Sequence, residues 1–188
     1  GAPKMDKFVI NAKTRATTGK SAAKSLRATG RIPAVVYNSK GESTMIDVDA
    51  IEFNKAWRAI TPTTFVELKI DGKTSLNTLI KDAEYNIRND EVLHADFFEP
   101  AADQKLTAVM KVQYTGTPAG VLKGGFMLKH LPEVKIVATP KDLPVRVVAD
   151  ISGLNVGDVL RVKDLKLDSG VTVLTDAEEA LASVSPAR

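Results

Sequence analysis

The chain has 188 residues, 44% of them hydrophobic and 26% charged, ordinary globular values that exclude a wholly disordered chain and fit one large or two small domains. It has no cysteine, which excludes disulfides, thiolate zinc sites and a cysteine nucleophile; no apolar run reaches the length of a membrane helix, and Gly1-Ala2-Pro3-Lys4-Met5 carries no signal-peptide core. The net charge of +3 hides an asymmetry: residues 1–40 hold nine basic residues against Asp6 (nine minus one, +8), while the eleven basic and eleven acidic residues from Glu99 to Arg188 cancel.

A field that concentrated attracts polyanions; a solvated basic surface or a disordered basic arm has the same composition. Phe8 to Ala12 reads as a strand, short and partly β-branched. Thr17 to Thr29 reads as a loop leading into a helix that Gly30 stops. Lys20, Lys24 and Arg27 fall at spacings of four and three, so a helix puts the three cations on one face. Like charges so placed cost a little stability unless an anion sits opposite.

Ile32 to Tyr37 is a strand entered through Pro33, and Asn38 to Gly41 is a turn. Thr44 to Val48 alternates like a strand, and Asp49 is an N-cap for a helix carrying Ile51, Phe53, Ala56, Trp57 and Ile60 on one apolar face, ended by Thr61-Pro62. Phe53 and Trp57 read most simply as core, with stacking on nucleic acid as the other reading. Thr64 to Ile70 alternates, Asp71-Gly72 is a two-residue hairpin turn, and Lys73 to Ile80 returns. Leu93 to Phe98 is a further strand. Many short strands with two helices suggest a barrel or sandwich.

A polar stretch from Glu99 to Asp103 joins this first domain, residues 1–99, to a second, residues 100–188. The second carries strand patterns at 106–114, 134–138, 145–151, 159–162, 172–174 and 180–184, separated by glycine-rich turns. It should be β-rich with little helix. Gly124-Gly125 is too short for a phosphate loop and reads as a turn.

Enzyme signals are poor. His94 and His130 fall in different domains, and no HExxH, nucleophile elbow or phosphate loop is present. His94 and Asp96, two apart in a strand, point to one face. The pair could act as a base, orient the ring toward a base edge or a 2′-hydroxyl, or be a plain surface pair. No candidate nucleophile accompanies them. Tyr37 fits either a core ring with its hydroxyl at the rim or a contact to RNA.

Taken together, Phe8-Val9-Ile10-Asn11-Ala12-Lys13-Thr14-Arg15, Gly19-Lys20-Ser21-Ala22-Ala23-Lys24-Ser25-Leu26-Arg27 and Gly30-Arg31-Ile32-Pro33-Ala34-Val35-Val36-Tyr37 resemble the opening pattern of a known family. Val92-Leu93-His94-Ala95-Asp96-Phe97 resembles its second signature. The family is the 5S-rRNA-binding protein of the bacterial large ribosomal subunit, twenty-fifth in that subunit's naming. Thr115-Gly116-Thr117-Pro118-Ala119-Gly120-Val121, Lys123-Gly124-Gly125 and Ile151-Ser152-Gly153-Leu154 look like its long form, the general stress protein CTC.

The resemblance implies a mostly β fold with a few helices. A six-stranded, barrel-like RNA-binding domain is followed by a β-rich C-terminal domain. It implies a cytoplasmic, ribosomal protein that binds the loop E region of 5S rRNA from the minor-groove side and helps stabilise the central protuberance. Its further partners would be neighbouring large-subunit rRNA and ribosomal proteins, with no catalysis, cofactor, metal, membrane or small-molecule substrate. Arg15, Lys20, Lys24, Arg27 and Arg31 would meet phosphates; Tyr37, His94 and Asp96 would read the groove. A stress protein binding structured RNA off the ribosome is the alternative. The stretch Asp82-Ala83-Glu84-Tyr85-Asn86-Ile87 departs from the Gln and His-Pro of many members, so no roles carry over there. Asn38 stands where many members have glycine and should hold a left-handed turn.

Overall fold

The computed structural model describes residues 8–16 and 19–187. Of the residues read above, those from Gly1 to Lys7, Thr17, Thr18 and Arg188 lie outside them. The chain divides into two compact units, Gly1–Ala101 and Ala102–Arg188.

The first unit runs β1 (Phe8–Thr14), α1 (Lys20–Ala28), β2 (Arg31–Asn38), β3 (Ser43–Asp49), α2 (Ala50–Ala59), β4 (Val66–Ile70), β5 (Thr74–Tyr85) and β6 (Val92–Glu99). The six strands close into a barrel in the order β1-β3-β2-β6-β5-β4. Pairing is antiparallel except for β1 with β4 and β2 with β6. Closure leaves no open sheet edge, which is how a small β unit avoids edge-to-edge association.

Alternation places the core. Ile10 and Ala12 of β1, Ile32, Ala34 and Val36 of β2, Ile46 and Val48 of β3, and Val66, Leu68 and Ile70 of β4 all turn inward. Each large side chain so buried contributes about 1.5–3 kcal/mol. Residues of opposite parity, among them Tyr37, His94 and Asp96, are left on the outer wall.

The helix α2 starts where the Asp49 carboxylate accepts the Glu52 N–H at 2.9 Å, satisfying one of the orphan donors of a helix start. Phe53 is fully buried; its ring stands edge-on to Phe97 at 6.1 Å and stacks on Trp57 at 5.9 Å. Ile51 does not share that face. It is 81% exposed, because at 100° per residue it points opposite to Phe53 and Ala56. Glu52 also accepts from the Asn11 backbone N–H at 3.1 Å and from its side-chain amide, tying α2 to β1.

Two turns differ from expectation. Ile70 pairs with Thr74, so three residues, Asp71 to Lys73, span the hairpin rather than two. Asp71 and Gly72 both have positive φ (55° and 68°). The left-handed residue of the β2–β3 turn is Gly41 (φ 83°), not Asn38. Asn38 ends β2 and uses its side-chain oxygen to accept the Lys40 and Glu42 N–H groups.

The second unit runs β7 (Leu106–Thr115), α3 (Ala119–Leu122), β8 (Phe126–Lys129), β9 (Glu133–Ala138), β10 (Val147–Asp150), β11 (Val159–Arg161), a 3-10 turn (Val162–Asp164), β12 (Thr172–Val173) and β13 (Ala180–Ser185). A sheet ordered β10-β7-β9-β12 and another ordered β11-β13-β8 enclose Met110, Val112, Val134, Ile136, Val147, Ala149, Val162 and Leu181. Tyr114 bridges within this unit, donating from its hydroxyl toward the Leu131 and Leu181 carbonyls (3.2 and 3.1 Å). Gly120 and Gly125 are packing residues as well as turn residues. A Cβ on Gly120 would lie 2.6 Å from the Val156 nitrogen, and one on Gly125 2.8 Å from the Ser185 oxygen.

Candidate RNA interface

The outer walls of β2 and β6 adjoin, with Val35 opposite Asp96 and Tyr37 opposite Phe98. On β6, His94 Nδ1 stands 3.4 Å from an Asp96 carboxylate oxygen, and both side chains are about one-third exposed (34% and 39%). With Nδ1 turned to the carboxylate, Nε2 is the ring nitrogen left for a further partner. The Tyr37 ring packs against Phe98 at 5.1 Å. Burial first, then the nearby Asp96 charge, pushes the Tyr37 hydroxyl above its ordinary pKa. It is therefore a neutral donor at physiological pH. One face thus offers a hydroxyl, an imidazole nitrogen and a carboxylate side by side.

The helix α1 lies against β2. Arg27 reaches over to β6, where Nη1 donates to the Leu93 carbonyl at 3.4 Å, one residue before His94. Lys20 and Lys24 remain exposed. The first turn of α1 holds no acid, and its N-cap, Gly19 (φ 110°), makes no side-chain cap. Lysine at the positive end of an uncapped helix is unfavourable by itself, and an external anion would reverse the sign.

The remaining two cations differ. Arg15 is half-buried, and its Nε has no hydrogen-bond partner among the described residues, an arrangement that costs about 1–3 kcal/mol. Arg31 already has its partner. Its Nε donates to the Asp47 carboxylate at 2.7 Å and Nη2 to the Asp47 carbonyl at 3.1 Å. Its charge is largely answered inside the fold, which sets it apart from Lys20 and Lys24.

His130 lies in the second unit, where its Nε2 bonds the Ser183 hydroxyl (2.7 Å). Among the described residues no cluster of three or more His, Asp or Glu is arranged to hold a metal, and no helix is long and apolar enough to cross a membrane.

Residues 10–97 match the Ribosomal L25p family, and residues 105–188 match the C-terminal domain of ribosomal protein TL5. A large ribosomal subunit protein bL25 of Treponema denticola is 39% identical over 96% of this chain and 85% of its own length. The namesake from Pseudomonas fluorescens is 33% identical over 98% of this chain and 94% of its own.

The chain belongs to the Ribosomal L25p family.

Proteins of the L25p family are structural constituents of the bacterial large ribosomal subunit rather than enzymes, and a bacterial ribosomal protein is cytoplasmic. Against this background the departing stretch gains a place. Asp82 to Tyr85 continue β5, which runs to Tyr85 rather than ending at Ile80. Asp82 lies opposite Asp96, and Glu84 opposite His94. The L25p face of this chain is thus more acidic than cations in chain order suggest. The end of β5 is fixed by the Tyr85 hydroxyl, which bonds the Trp57 indole N–H. Sequence reasoning gave these residues no roles because they depart from the family's pattern, and it ended the strand at Ile80.

Proposed function

We propose that the barrel unit binds 5S rRNA at its loop E region from the minor-groove side and so helps stabilise the central protuberance. The second unit would then serve neighbouring large-subunit rRNA and proteins. The observation that carries the reading is the junction at Leu93 and His94. There Arg27 fastens a cationic helix directly beside the Tyr37–His94–Asp96 face. An A-form minor groove is wide and shallow and displays 2′-hydroxyls and base edges. Reading it takes cations for the phosphates and a few fixed donors and acceptors for the groove. Lys20, Lys24 and Arg27 supply the first, and Tyr37, His94 and Asp96 the second. Asp96 facing a phosphate would be repelled; paired with His94, it is placed to orient the ring and to accept from a ribose hydroxyl or a base amine. Arg15 Nε, without an acceptor among the described residues, adds a donor.

The test is binding to 5S rRNA and to an unrelated RNA hairpin of equal length across a salt series. The wild type should prefer 5S rRNA. A Lys20, Lys24 and Arg27 triple alanine variant should lose affinity and flatten the salt dependence, because fewer counterions are released. His94→Ala should cost selectivity more than slope. Equal binding of the two RNAs would instead favour a general structured-RNA-binding protein acting off the ribosome.

A further inference from the structure

The pairing of strands β5 and β6 shifts register twice, first between Ile80 and Asp82 and again between Glu84 and Tyr85. Ile80 faces Phe97 and Asp82 faces Asp96, so Lys81 is an extra residue with nothing opposite. Such a bulge bends the strand and re-aims one side chain. Here it carries Lys81 over the outer wall, where its Nζ stands 5.5 Å from the Phe98 ring centroid. Phe98 in turn packs on Tyr37 at 5.1 Å, so ammonium, phenyl and phenol form one row. The aromatic face holds the cation there more firmly than free solvation of a long stem would.

The charge count makes this placement informative. The strands β2, β5 and β6 contain two residues of the Lys and Arg type, Arg31 and Lys81. Arg31 is taken by Asp47. Lys81 is exposed and has no ion pair among the described residues. The same wall carries Asp82, Glu84 and Asp96, which repel a polyanion. Cations therefore stand at two separate places along β6: Arg27 at Leu93, and Lys81 at Phe98. Leu93 and Phe98 are five positions apart on the strand, roughly 17 Å of rise, with His94 and Asp96 between.

We infer that Lys81 contacts the phosphodiester backbone on the side of the groove opposite to that held by α1, so that the two cationic flanks straddle the His94–Asp96 pair. This rests on the RNA-binding reading above. It adds a residue, and a two-sided grip, that the linear sequence does not display.

Lys81→Met tests it, because methionine keeps an apolar stem over Phe98 while removing the charge. On 5S rRNA the variant should bind about three- to tenfold more weakly near 0.1 M salt. Its slope of log affinity against log salt should fall by roughly 0.7–0.9, the release expected for one phosphate contact. Lys81→Arg should keep the wild-type slope. An unchanged slope in Lys81→Met overturns the inference, whether or not affinity falls, since a loss without a slope change reports packing rather than charge. A wild type that binds 5S rRNA and the control hairpin equally would sink the 5S reading. The slope comparison on either RNA would still decide whether Lys81 touches the backbone.

Discussion

Arg31 and Asp47 form an ion pair on the wall between β2 and β3, at 2.7 Å, with side chains only 19% and 9% exposed. The pair joins adjacent strands of the barrel, and Asp47 has little access to water. Arg31→Ala should therefore destabilise the protein by about 2–4 kcal/mol, less than a fully buried pair because Arg31 retains some solvent. Arg31→Lys should recover only part of that, because a single ammonium cannot reach both the carboxylate and the carbonyl. Urea denaturation of the two variants is the measurement. An Arg31→Ala variant with wild-type stability and weakened RNA binding would show that the arginine serves phosphate instead.

The glycines of the second unit give a second expectation. With the Val156 nitrogen 2.6 Å from a Cβ built on Gly120, Gly120→Ala should cost about 2–3 kcal/mol through forced backbone movement. Gly124→Ala is the control for strain without crowding, as nothing lies within 4 Å of its Cβ position although its φ is +99°. Thermal unfolding followed by circular dichroism separates the two. Equal losses would mean that backbone conformation, not close packing, decides.

An acid-side effect follows from Asp71. Its carboxylate accepts from the Thr14 hydroxyl and from the Thr14 N–H at 3.0 Å. The Thr14 hydroxyl chiefly, then the Thr14 N–H, holds its pKa below the ordinary carboxylate value. A depressed pKa means the native state favours the ionised form. The stabilisation is therefore present at neutral pH and is lost as pH falls below the usual carboxylate range. Asp71→Asn, which tolerates the positive φ of this turn, should make stability less sensitive to acid than in the wild type. Melting temperatures at neutral pH and near pH 3 show the difference.

Removal of residues 1–31 tests the place of the basic segment in the fold. It deletes β1, which pairs with both β3 and β4 and so closes the barrel. The truncated chain should lose the cooperative unfolding of the first unit, along with the near-ultraviolet signal of Trp57. A truncated chain that keeps both would make the segment an arm and not a wall.

Much of this architecture was legible because strand periodicity is strict. Residues two apart share a face, so His94 and Asp96 could be paired on paper, and Ile32 to Tyr37 could be read as a strand. Asp49 announced α2 because capping chemistry is local. What stayed hidden depends on partners distant in the chain. Nothing around Arg31 indicates Asp47, sixteen positions on, and nothing around Lys81 indicates a bulge, because a bulge is a property of two strands at once. Ile51 was misplaced because a helix face was judged by composition rather than by angle. The strand β8 and helix α3 were missed for a different reason. They are four residues each, and Gly124 and Gly125 between them made the whole stretch read as a turn.

The parallel pairs of the barrel also set a timetable. Phe8 pairs with Val66 and Ala34 with Ala95, so the first two strands emerge from synthesis long before their parallel neighbours exist. Non-local pairing of this kind is slow to form and cannot begin early. While the nascent chain waits, its amino-terminal strands lack their parallel partners, and residues 1–40, the segment around them, hold nine basic residues against one acid. The most basic segment of the chain therefore stays outside a closed barrel until β4 has been made and β1 can close onto it.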